Sequence, residues 1–203
     1  MLRETHNLAK LVILPHITWF KLLVGGDLHI QKHPYLRVAR PNRPEDNIGI
    51  HRDTWYGSSP YEISVSLALT ATDEGSALRV VPGSHILPDS DFPTFETITN
   101  VEKGSVRHKL GFLYKRRNLQ NAVDDIPVPL PVGHALIFPS SLVHGQNLNQ
   151  GKTTRVSIDM RLVNSFAPCN KSRTVHEDYY MPLCESEITR QARQYLENQE
   201  RGN

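Results

Sequence analysis

A chain of 203 residues, 38% apolar and 22% charged, is long enough to bury a substantial core and too apolar for disorder. A net charge of +2, with Lys and Arg spread along the chain, provides no basic stripe, so no nucleic-acid partner is expected. The longest apolar run, 11–24, is interrupted by Pro15, His16, Thr18 and Lys21 and is too short and polar to span a bilayer, so no membrane partner is expected either.

Residues 2–24 read as helix, in two pieces divided at Pro15, with Gly25-Gly26-Asp27 as the stop. No leader-type segment precedes them, and Cys169 and Cys184 have neither metal-type spacing nor a dense disulfide pattern; free thiols in a reducing, cytoplasmic setting are expected. Tyr35 to Arg40 is a short strand ending at Pro41. Asn47 to Trp55 alternates like a strand, and Tyr61 to Leu69 does so most clearly, with Ile63, Val65, Leu67 and Leu69 opposite Glu62, Ser64, Ser66 and Ala68.

Ser76 to Val81 is another strand, closed by Pro82-Gly83-Ser84-His85. Residues 86–108 read as a long loop of the lid or binding type. Strands follow at 110–115, at 133–139 after a turn, and at 153–163, with Pro127, Pro129 and Pro131 confining the stretch between to an edge. Residues 185–199 carry a weak helical stripe of Ile188, Ala192, Tyr195 and Leu196. Seven or so short strands with helices only at the ends imply a mainly β antiparallel sandwich or barrel, as one domain over 1–203 with its core at about 35–163.

The chemistry concentrates at Ile48-Gly49-Ile50-His51-Arg52-Asp53. On a strand, His51 and Asp53 point the same way, about 7 Å apart along the backbone. An imidazole and a carboxylate so placed are two of the three ligands of the 2-His-1-carboxylate triad that holds Fe(II) with positions left open. The spacing alone is weak: ten His and ten Asp in 203 residues produce about half a His-x-Asp by accident, and the chain has a second, His176 and Asp178. That pair sits in a charged stretch with no later histidine to complete a site, so His176 reads as a surface residue.

The third ligand must come from downstream, and His85, His108, His134 and His144 are the candidates. His144 is best placed, after the 135–138 strand and before Gly145. Eleven residues on, Arg155, Ser157, Asp159 and Arg161 share one face of the last strand, with Val156, Ile158, Met160 and Leu162 on the other. An arginine and a serine two apart can grip a carboxylate. An exposed outer strand with salt-bridged charges explains the same pattern equally well.

His51-x-Asp53, His144 and Arg155-x-Ser157 resemble the Fe(II)- and 2-oxoglutarate-dependent dioxygenases. More narrowly, Ala77 to His85 with its Pro-Gly-Ser-His end, and His144-Gly145, are similar to the phytanoyl-CoA dioxygenase family. The resemblance runs from about 47 to 163. It implies a double-stranded β-helix (jelly-roll, cupin-like), with His51, Asp53 and His144 as iron ligands, Arg155 as partner of the 2-oxoglutarate distal carboxylate and Ser157 as its helper.

It also implies Fe(II) and 2-oxoglutarate as cofactors, O2 as co-substrate, and hydroxylation or another oxidation of a substrate with release of succinate and CO2. Related halogenases lack the carboxylate that Asp53 supplies, which favours oxidation over halogenation. No cofactor contact transfers to Gln146. Trp55, Tyr56 and Arg161 are candidate substrate contacts. Ser64 and Ser66, expected in the lumen, suit a small polar metabolite, and no segment suits a CoA handle. Two other classes stay open: a cupin-type metalloenzyme without 2-oxoglutarate, and a metabolite-binding β-sandwich without catalysis. The oligomeric state is not legible.

Overall fold

The computed structural model describes residues 8–106, 113–169 and 179–201. Two short helices come first, α1 (Leu8–Ile13) and α2 (Ile17–Val24), separated by a 3-10 turn at Leu14–His16 that carries Pro15, as its missing N–H requires. Gly25, at φ 111°, ends α2 in a conformation that side chains rarely adopt. Strands β1 (Leu28–Gln31) and β2 (Tyr35–Ala39) follow, then β3 (Ile63–Ala68), β4 (Leu78–Val80), β5 (Thr94–Ile98) and β6 (Lys115–Leu119). The chain continues through β7 (Ile126–Val128), β8 (Ala135–Pro139), β9 (His144–Gly145), β10 (Arg155–Asn164) and β11 (Tyr180–Cys184), and ends in α3 (Glu187–Arg201).

All pairings are antiparallel. Six strands form one sheet in the order β11-β1-β10-β3-β8, with β2 also along β10; β7-β4-β9 form a smaller sheet, and β5-β6 a separate hairpin. The architecture is mainly β, a jelly-roll of the double-stranded β-helix type with helices at both ends. Strand β10 is the axis of the large sheet. Its Ile158, Met160 and Leu162 pack with Leu28, Ile30 and Val65 under Ala9, Ile13 and Phe20 of the N-terminal helices. Met160 and Leu162 are fully buried, each worth about 2 kcal/mol in area removed from water.

The other face of β10 carries Arg155, Ser157, Asp159 and Arg161, of which Arg155, Ser157 and Arg161 are buried. The strand is therefore covered on both sides, which removes the exposed-strand reading of its charges. The register then sets the polar contacts: Arg161 stands opposite Ser64 and Asp159 opposite Ser66.

Four expectations change. Residues 47–55 are not a strand: only His51 bridges, to His144, and Asp53–Tyr56 is a 3-10 turn. The Asn47 side chain accepts the Gly49 N–H at 2.8 Å and Gly49 takes φ 81°, which breaks the extended run. The 86–108 segment is not a plain loop, because it holds β5, whose partner β6 begins where the 110–115 strand was expected to end. The large sheet reaches beyond 35–163, taking in β1 and β11, whose short patterns carry no strong periodic signal. The stripe of α3 is helical as expected, yet Ile188, Tyr195 and Leu196 are exposed. Among the described residues no helix is long and apolar enough to cross a membrane. His108 and the His176/Asp178 pair lie outside the described residues.

Candidate metal centre

Backbone pairing makes the site. His51 and His144 exchange both N–H···O bonds, at 2.7 and 2.8 Å, so the two imidazoles stand side by side with ring centroids 4.7 Å apart. That approach needs a glycine next to His144. A Cβ on Gly145 would lie 2.1 Å from the Gly49 carbonyl oxygen and 2.7 Å from Ile50 Cα, both backbone atoms that cannot swing away. Gly145→Ala is therefore expected to force the two segments apart, costing about 1–3 kcal/mol of stability and most of the metal affinity. Paired urea and metal titrations check this, and unchanged metal binding would contradict it.

Asp53 follows one turn on. His51 Nε2 is 3.7 Å from Asp53 Oδ1, and His144 Nε2 is 4.0 Å from Asp53 Oδ2. One ligand atom from each of the three side chains lies within 4.8 Å of the others, and all three residues are buried. The tautomers suit a metal. His51 Nδ1 lies 3.0 Å from the Gly49 carbonyl and His144 Nδ1 2.9 Å from the Leu142 carbonyl. A carbonyl only accepts, so each Nδ1 carries the proton and each Nε2 keeps a lone pair facing the shared point. Asp53 Oδ1 accepts from Arg161 at 2.7 Å and Oδ2 from Ser64 at 3.0 Å, which orients the carboxylate and leaves lone pairs over.

The electrostatics agree. Burial alone would raise the Asp53 carboxyl, but Arg161, with His51 and His144, overrides it and holds Asp53 well below the usual carboxylate range. Burial, then the neighbouring His51, lowers the His144 imidazole to about 4. His144 is therefore a neutral ligand at neutral pH. The unfolded chain protonates this histidine near 6.5 and the folded chain resists until about 4, so stability complete above pH 6.5 drains away as the pH falls toward 4. Between about pH 7 and about pH 4.5 the metal-free protein should lose on the order of 2 kcal/mol from this group, read from urea midpoints. A midpoint that rises on acidification would contradict the assignment.

Each other expected site residue has a definite place. A cavity of about 520 Å³ opens over the three ligands, and Tyr56, Arg155 and Arg161 line it. Arg155 is 7% exposed; it donates to the neutral Gln146 Oε1, and its Nε is buried with no hydrogen-bond partner. Burial pulls its guanidinium below the ordinary value. Ser157 is buried beside Asp159 at 3.5 Å and is absent from the cavity wall, so the expected grip by both residues reduces to Arg155.

Arg161 lines the cavity and is also held by two buried acids. It lies between Asp53 and Glu62, 3.0 Å from Glu62 Oε1, and Glu62 is fully buried and also bonded by Tyr180. Trp55 is turned from the cavity and donates to Asp89 at 3.1 Å. Tyr56 packs edge-on to His51, and its hydroxyl accepts the Arg117 N–H at 2.9 Å, which bolts the β5–β6 hairpin to the site. The Pro-Gly-Ser-His turn also acquires a reason: the buried Ser84 hydroxyl accepts the Val143 N–H at 2.8 Å, just before His144.

Sequence reasoning missed Glu62, Arg37 and Arg116. Arg37 pairs with Asp159 at 3.0 Å and Arg116 lines the cavity from the hairpin. Glu62 shared the strand face of Ser64 and Ser66, a signal that could have found it, whereas nothing in the local patterns of Arg37 and Arg116 distinguishes them from surface charges.

Two buried imidazoles and one carboxylate, open on one side to a cavity in a double-stranded β-helix, form a cluster of the facial-triad type that could hold a metal ion. The family model for phytanoyl-CoA dioxygenase (PhyH) matches residues 24–157, about two-thirds of the chain. The chain belongs to this family of 2-oxoglutarate-dependent oxygenases.

Solved structures share the fold. ThoJ, a non-heme monooxygenase, is 19% identical with a TM-score of 0.58 over 85% of this chain and 58% of its own. The epimerase SnoN, solved with Fe3+, alpha ketoglutarate and nogalamycin RO, is 19% identical with a TM-score of 0.53 over 80% of this chain and 60% of its own. The carbocyclase SnoK from nogalamycin biosynthesis is 19% identical with a TM-score of 0.53 over 89% of this chain and 68% of its own. The chain thus spans about three-fifths of ThoJ and SnoN. No curated protein matches it.

Proposed function

We propose that this protein is an Fe(II)- and 2-oxoglutarate-dependent oxygenase that hydroxylates, or otherwise oxidises, a small polar metabolite as a single domain over residues 1–203. The observation that carries the reading is the pairing of a preset ligand cluster with a buried arginine beside it that makes no ion pair. Nε2 of His51, Nε2 of His144 and an oxygen of Asp53 converge with the correct tautomers, which fits Fe(II). Arg155 fits the distal carboxylate of 2-oxoglutarate, because a buried guanidinium whose contact is a neutral amide has no carboxylate in ion-pair contact.

When bound, the iron with 2-oxoglutarate and O2 supplies the oxidant, with succinate and CO2 released. The protein's own residues do the remaining work. His51, Asp53 and His144 would hold the metal beside the cavity they line. Arg161 and Ser64 fix the carboxylate ligand, Arg155 orients the co-substrate, and Tyr56 and Phe138 shield the imidazoles from water. Among the similar folds SnoN is described as an epimerase and SnoK as a carbocyclase, so the proposal commits to oxidation at a substrate C–H, with hydroxylation as its simplest outcome.

The test is succinate formation from 2-oxoglutarate by the Fe(II)-loaded protein, screened across polar metabolites for stimulated turnover. His51→Ala should abolish both metal binding and succinate formation. Succinate formed equally with and without Fe(II) would end the proposal.

A further inference from the structure

Five arginines line the cavity, Arg37, Arg40, Arg116, Arg155 and Arg161, against four acids, Glu45, Asp46, Asp53 and Asp159. The acids are all taken. Arg40 holds Asp46 at 2.8 Å and Glu45 at 3.5 Å, Arg37 holds Asp159 at 3.0 Å, and Arg161 holds Asp53 at 2.7 Å. Two cations have no carboxylate within ion-pair distance among the described residues, Arg116 and Arg155, the latter feeling Asp159 only from farther off. Arg155 is answered by the distal carboxylate of 2-oxoglutarate in the proposal above. Arg116 is not answered by anything in the reaction as stated.

Its position is built. Nη1 of Arg116 donates to the Asn47 carbonyl at 2.7 Å, while its Nε is buried with no hydrogen-bond partner. The neighbouring Arg117 N–H is anchored on the Tyr56 hydroxyl, so β6 is tied at two points to the segment that carries His51 and Asp53. Arg116 and Arg155 stand on different sheets, β6 of the hairpin and β10 of the large sheet, so they enter the cavity from different walls. Apolar wall is available nearby in Ile48, Leu78 and Leu113. A fixed guanidinium lacking an anion, beside apolar wall, is the arrangement that selects an oxyanion on an apolar skeleton.

We infer that the substrate is anionic, an apolar or ring-bearing acid whose carboxylate or phosphate is received by Arg116 while 2-oxoglutarate occupies Arg155. The inference rests on the oxygenase reading for the occupant of Arg155, and on the cavity alone for Arg116. It sharpens the polar metabolite of that reading to one class, and makes the hairpin the element that selects it.

The experiment uses the full chain loaded with Zn(II), so that nothing turns over, and saturated with 2-oxoglutarate. Binding of 4-fluorobenzoate, 4-fluorophenyl phosphate and neutral 4-fluorobenzamide is followed by fluorine NMR. At least one anionic probe should bind about tenfold or more tighter than the amide, the margin of one charge-assisted hydrogen bond; the tighter of the two names the oxyanion. Arg116→Gln should erase that margin and Arg116→Lys keep part of it, with 2-oxoglutarate affinity unchanged within about twofold in both. Equal binding of acids and amide, a margin that survives Arg116→Gln, or a loss of 2-oxoglutarate affinity in that variant would each overturn the inference. Failure of the oxygenase reading shows earlier, as no 2-oxoglutarate binding to the metal-loaded protein. The probes are then titrated without it, and the same margin decides the role of Arg116.

Discussion

Arg155→Gln should leave metal binding within about twofold of the wild type while weakening 2-oxoglutarate by on the order of 10²–10⁴-fold, because two charge-assisted hydrogen bonds of about 1.5–3 kcal/mol each are lost. The split is what makes the experiment informative. Arg155 touches none of the three ligand side chains, and its contact is the Gln146 amide. A second consequence concerns stability. The guanidinium is buried with no carboxylate in ion-pair contact, and burial, offset only in part by the more distant Asp159, pulls it below its ordinary value, so the ligand-free variant should be about as stable as the parent. Anaerobic titrations with the metal and then with 2-oxoglutarate, beside urea unfolding, measure all three quantities. Succinate formation that survives at the wild-type rate would remove Arg155 from the co-substrate site.

Arg161→Met should be the most damaging single change in the site. Arg161 lies between two buried carboxylates, Asp53 and Glu62. Removing it strands both charges, and breaking a buried pair from one side costs about 3–5 kcal/mol. Metal affinity should fall with it, since Asp53 loses the donor that aims one of its oxygens and keeps only Ser64. Arg161→Lys preserves the charge without the planar fork that spans both acids, and should fall between the two. Glu62→Leu in the Arg161→Met background removes one stranded charge, so the double variant should lose less than the sum of the single ones. Urea midpoints and metal titrations on the parent, the three single variants and the double variant decide it. A midpoint for Arg161→Met within about 0.5 kcal/mol of the parent would show that the pair does not hold the site.

Arg161 also shows where reading the chain reached its limit. Alternation along 155–162 separated the charged face of β10 from the apolar one, because strand side chains alternate whatever lies around them. It could not say whether the charged face met water, substrate or a partner. The register does that, by setting Arg161 against Ser64 and Asp159 against Ser66. The same holds for His51 and Asp53. They converge, but through a bridge and a 3-10 turn where a continuous strand was expected, because Gly49 and the Asn47 side chain bend the backbone first.

That His51, Asp53 and His144 could meet at one site was legible in the chain, because a ligand's chemistry belongs to its own side chain. Two histidines, a carboxylate and an arginine in a fixed order needed no contact to be recognised, and His144 stood out from His85 and His134 by its flanking strand and glycine. Both of those remain exposed, and His144 is buried. What each polar residue is paired with was a matter for the folded chain. Glu62 meets Arg161, Arg37 meets Asp159, Ser157 turns from the cavity and Arg116 enters it without an acid. Charges find partners through space, across strands from nearly 50 to more than 120 residues apart, and an alternating pattern records only which side of its own strand each one leaves.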